Sequence, residues 1–171
     1  MFRDWDNFYL LVGGAGGALI GIMFVVATLT AGLDPSRVSR GSQIYVTPVV
    51  FHFSVVMVVS VLTAVPGLSP SAAGVAIAFC AAVGFAYTAT TTVRLIRLDW
   101  EEQLPDWSDK SFYGILPTVA YIALAAAAAA VWLAPQSATY AIGATILALL
   151  LVGIRNAWDL ATALTQRPRG P

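Results

Sequence analysis

The chain has one cysteine, one histidine and one lysine, and only 11% of its 171 residues are charged, where a soluble domain carries about 25%. Cys80 alone excludes an intrachain disulfide, leaves the compartment unreadable from redox chemistry, and is read as a packing residue. His52 and Cys80 cannot supply the ligands of a metal site within one chain. Lys110 lies between apolar runs, which excludes a Schiff base inside a helix. No GxSxG, HExxH, P-loop or GxGxxG occurs in a suitable context. No pair of carboxylates falls within an apolar run to serve proteolysis or a proton relay. The expectation is a protein that is not an enzyme, with no catalytic residue, metal, cofactor or nucleic-acid partner.

What is present is apolar: 58% of the residues, with a mean hydropathy of +0.79. They fall into five runs, 8–31, 44–65, 71–93, 112–133 and 138–164, each near the roughly 20 residues that a helix needs to cross about 30 Å of hydrocarbon. Strand alternation is absent, and lipid obliges each run to satisfy its own backbone as a helix. The predicted fold is an all-α bundle of five transmembrane helices in a single domain. The first run is too long for a signal-peptide core and has no basic flank before it, so it is expected to stay in the mature protein.

Taking the connections in order puts the N-terminus, PGLSPS and APQS on one side with Arg3. The other side receives Arg37, Arg40, Arg94, Arg97, Lys110, Arg155, Arg167 and Arg169. The excess of basic residues predicts the N-terminus outside and the C-terminus in the cytoplasm, as in a multi-pass protein of the bacterial inner membrane.

The first helix carries GGAGGALIG, whose Gly13, Gly17 and Gly21 form a small-xxx-small strip suited to close helix packing. On this reading Gly17→Leu pushes a neighbouring helix away. In the second helix Tyr45, Pro48, His52 and Thr63 share a face, with His52 roughly 10 Å inside the cytoplasmic end. Three readings stand for His52: a hydrogen-bonded core residue, a pore-lining group that senses pH between about 5 and 7, or a ligand for metal or haem. In the third helix Tyr87, Thr91 and Arg94 share a face near the cytoplasmic exit, and in the fourth Tyr113, Pro117 and Tyr121 follow one another at i+4. Between them DWEEQLPDWSDKS reads as an interfacial loop against the headgroups.

The fifth helix reaches Arg155 after roughly 26 Å, with Asp159 one turn on and Trp158 placed to anchor among headgroups. Arg155 and Asp159 mark either a snorkelling exit or, with Arg94, Tyr121 and Asn156, a cytoplasmic-side polar cluster. In a cluster, Asp159→Asn strands Arg155 and the two charges couple; at an exit the two changes are small and independent.

WDNFYLLVGGAGGALIGIMFV and GIRNAWDL resemble the two ends of a widespread group of small uncharacterised bacterial multi-spanning membrane proteins, some of which carry the label of modulators of a membrane-bound AAA protease. The resemblance singles out Trp5, Gly13, Gly14, Arg155, Asn156, Trp158 and Asp159 and implies no chemistry. The functional expectation is a homo-oligomer forming a channel or transport-like pore, because a chain this short needs several copies to enclose a path. The alternative is a non-conducting accessory or regulatory subunit of a larger membrane complex. Partners are then membrane lipid, further copies of the chain, or another membrane protein.

Overall fold

The computed structural model describes residues 2–30, 47–97 and 107–165. Five helices among them are long and apolar enough to cross a membrane. α1 is Asp6–Thr30, entered through a 3-10 turn at Arg3–Trp5; α2 is Thr47–Ala64; α3 is Pro70–Arg97; α5 is Pro135–Thr165. Between them α4 is composite. It begins with a short turn at Trp107–Asp109, continues as π-helix over Lys110–Ile115 and α-helix over Leu116–Ala129, and ends in a 3-10 turn at Ala130–Trp132.

The two tight connections follow from local chemistry. Pro66-Gly67 turns the chain between α2 and α3, with Gly67 at φ 75, a left-handed conformation that only glycine adopts without steric cost. Ser69 then caps α3, its Oγ accepting from the Ala72 N–H at 3.2 Å, and Pro70 occupies the first helical position, where a missing N–H costs nothing. Pro135 starts α5 in the same way after the Ala130–Ala134 turn.

The helices pack as a ring of four, α2, α3, α4 and α5, each touching the next, while α1 lies outside the ring against α2 and α5. Most side chains on these helices are apolar, and on α2 the buried face is the one that carries the polar residues His52, Ser60 and Thr63 together with the Phe53 ring. The inward stripe of α2 is Val49, His52, Phe53, Val56, Val59, Ser60 and Thr63, at the i, i+3, i+4 spacing of one helical face. Val58 and Val61 point outward at 40% and 58% exposure.

Rings seated over glycines hold the elements together. A Cβ on Gly84 of α3 would stand 2.2 Å from the Tyr121 ring of α4, and one on Gly153 of α5 would stand 2.5 Å from the Phe53 ring of α2. Gly143 of α5 receives Trp5 and Phe8, and Gly74 of α3 receives Trp132. Each pairing removes a large apolar surface from exposure and brings two backbones close, which is how helices gain dispersion energy where burial from water is not the driving force.

Candidate functional site

Two polar groupings sit inside this frame. The inner one spans the ring from α2 to α4. His52 and Tyr121 are both fully buried, and Nδ1 of His52 is hydrogen-bonded to the Tyr121 hydroxyl at 2.9 Å, the donor depending on the tautomer. Phe51 lies against both rings and stacks on Tyr87 at 4.3 Å between centroids. Nε2 of His52 is buried without a hydrogen-bond partner among the described residues, as is Oγ of Ser60.

The outer grouping joins the C-terminal part of α5 to the opening of α4. Arg155 donates through Nη1 to Asp159 Oδ2 at 2.8 Å and through Nη2 to Ser108 Oγ at 2.8 Å. Its guanidinium lies 3.7 Å above the Phe112 ring, a cation–π placement. Asn156 is fully buried: its Nδ2 donates to the Phe112 carbonyl at 3.0 Å, and its own carbonyl accepts from the Tyr113 hydroxyl at 2.9 Å. Arg155 Nη1 makes a longer contact, 3.4 Å, with Asn156 Oδ1.

The predicted residues divide accordingly. Arg155, Asn156 and Asp159 come together, but Tyr121 does not join them: the i+4 spacing that carries it inward from Tyr113 and Pro117 brings it to His52. The backbone of Arg94 lies in α3; its side chain, and all of Tyr45, fall outside the described residues. Pro48 and Thr63 are buried on the same face as His52, yet Thr63 spends its hydroxyl on the Ser60 carbonyl of its own helix at 2.8 Å. His52 is enclosed by its own chain at 0% exposure.

The glycine strip also differs in register. The close approach of α1 to α2 runs through Gly13, opposite Ser60, and Gly16, 3.1 Å from the Phe53 carbonyl for a built Cβ. Gly17 makes only ordinary contact with the Met57 sulfur, and Gly21 meets nothing within 4 Å. One face of the helix touches α2, and the i+4 series drifts off that face.

The residues that sequence reasoning missed are Ser108 and Phe112 on one side and Gly84 on the other. Pro117 was the available signal for the first two, because a proline one turn into a helix disturbs the turn before it. Gly84 in AAVGFAY carried none.

The fold and these groupings define an all-helical chain with five helices suited to a bilayer, each grouping pinning one helix to another across the bundle. No family model, curated protein or solved structure matches the chain.

Proposed function

We propose that this is a multi-pass protein of the bacterial inner membrane that works by helix contact, as a non-conducting accessory or regulatory subunit whose docking surface is α1. The observation that carries the reading is the uncovered side of α1. While Gly13 and Gly16 engage α2, Gly14, Ala18 and Gly21 are exposed, and neither exposed glycine meets anything within 4 Å. Leu10 and Val25 flank them on the same stripe at 67% and 56% exposure. Small residues at this spacing admit another helix at close range in lipid. Arg155, Asn156 and Tyr113 are engaged in joining α5 to α4.

Placement in the bilayer rests on the aromatic residues at the two ends. Tyr140 and Trp158 on α5 are 64% and 70% exposed and separated by about 27 Å of helix rise, close to one hydrocarbon thickness. Trp132 and Trp107 stand near the two ends of α4, 52% and 72% exposed. Such residues favour the two headgroup zones. The excess of basic residues supports a cytoplasmic Arg155 end.

The homo-oligomeric pore is the second reading. It is favoured by the same stripe, which every copy of the chain presents to every other, and its path would run between subunits and not past His52. Particle size in detergent, with flux through proteoliposomes, separates the two. A monomer or a fixed-ratio complex with a foreign protein, without flux, supports the accessory subunit; a symmetric assembly that conducts overturns it in favour of the pore.

A further inference from the structure

Pro117 leaves one carbonyl of the preceding turn without a helical donor, and the winding of that turn decides which one. In an α-helix the carbonyl four residues back, that of Tyr113, faces Pro117; in a π-helix the carbonyl five residues back, that of Phe112, does so. The turn is π-helical over Lys110–Ile115, and the Phe112 carbonyl is the one that accepts from Asn156 Nδ2 at 3.0 Å. The same segment is held at three further points. Arg155 grips Ser108 and covers the Phe112 ring, Tyr113 donates to the Asn156 carbonyl, and Gly114 lies so close to Thr92 of α3 that a Cβ would stand 2.9 Å from its hydroxyl. The remainder of α4 is fixed independently, by Tyr121 at Gly84 and Trp132 at Gly74.

We propose that the opening of α4, 107–115, is a two-register device latched by α5: the Asn156 amide stands in for the N–H that Pro117 lacks and thereby selects the wide register, and withdrawing it lets the segment rewind as an α-helix. Rewinding removes one residue from the turn and rotates 107–112 by about 100° against the fixed part of α4. Ser108 and the Phe112 ring then leave Arg155, so the state of the segment is read at the polar end of α5. The device stands on the contacts within the chain and does not depend on the accessory-subunit reading.

The test is Asn156→Ala with and without Pro117→Ala, in the full-length protein in detergent. Tyr113-Gly114 is the only Tyr-Gly pair in the sequence, so 13C′-tyrosine with 15N-glycine isolates the Tyr113 carbonyl by NMR. Asn156→Ala moves this resonance upfield, as its carbonyl comes to face Pro117, and speeds amide exchange over 110–116 by about tenfold while 120–129 stays protected. Pro117→Ala added to it restores protection and at least half of the lost Tm, because an N–H at 117 removes the orphaned carbonyl in either register. An unmoved resonance in Asn156→Ala overturns the proposal, and so does a double variant no better protected than the single one. Should Asn156→Ala alone fail to fold, the double variant must still fold, and its failure is equally fatal.

Discussion

His52 and Tyr121 illustrate how a single hydrogen bond is valued by what its loss leaves behind. Tyr121→Phe leaves Nδ1 as unpartnered as Nε2 in a fully buried ring, at an expected cost of about 1–3 kcal/mol. Adding His52→Leu removes the stranded polar group as well, so the double variant should be nearer the parent in thermal unfolding than Tyr121→Phe is; a double variant that simply adds the two losses argues against the pair. At the outer grouping the expected costs are unequal. Arg155 and Asp159 are 31% and 39% exposed, so Asp159→Asn should cost no more than about 1 kcal/mol. Arg155→Gln also gives up Phe112 and Ser108 and should lose at least about 1 kcal/mol more. Equal losses in a detergent melt would show that the ion pair alone matters. The half-exposed pair lies between the snorkelling and the desolvated-cluster expectations, since the desolvated member is Asn156.

Among elements, α1 presents two small-residue faces with different tasks. Gly13→Val drives a branched side chain into Ser60, where even a Cβ would approach to 2.7 Å, and should lower Tm by several degrees through strain of about 1–3 kcal/mol. Gly21→Leu enters open space and should leave Tm unchanged while altering the size of the solubilised particle. A Tm loss at Gly21 with none at Gly13 would reverse the assignment of the faces. The five apolar runs were legible because length and composition suffice for helices in lipid, and each overlaps one long helix of the described residues. At α4 the interruption at Pro117 is absorbed by a π-turn and the winding is already helical at Trp107, a solution that depends on Asn156 from a distant helix. The register of the glycines was not legible for a related reason: where every face is apolar, only the partner's shape, here Ser60 and the Phe53 carbonyl, decides which residues touch.

At the scale of the whole molecule, orientation offers the broadest check. A reporter after Pro171 is expected in the cytoplasm and one in the 66–69 turn outside; opposite labelling overturns the assignment of the Arg155 end. The ring of four with α1 outside it also has a bearing on biosynthesis. Of the five helices α1 is made before α2, against which it packs, but its other neighbour is the last of the five: Trp5 meets Tyr140 edge-on at 4.8 Å between centroids, and the Tyr9 hydroxyl donates to the Thr139 carbonyl at 3.2 Å. Until α5 has been made, the aromatic start of α1 has half a groove. The nascent protein therefore passes through a stage in which Trp5, Phe8 and Tyr9 are open to quality-control factors and to neighbouring chains, and the arrival of α5 ends it.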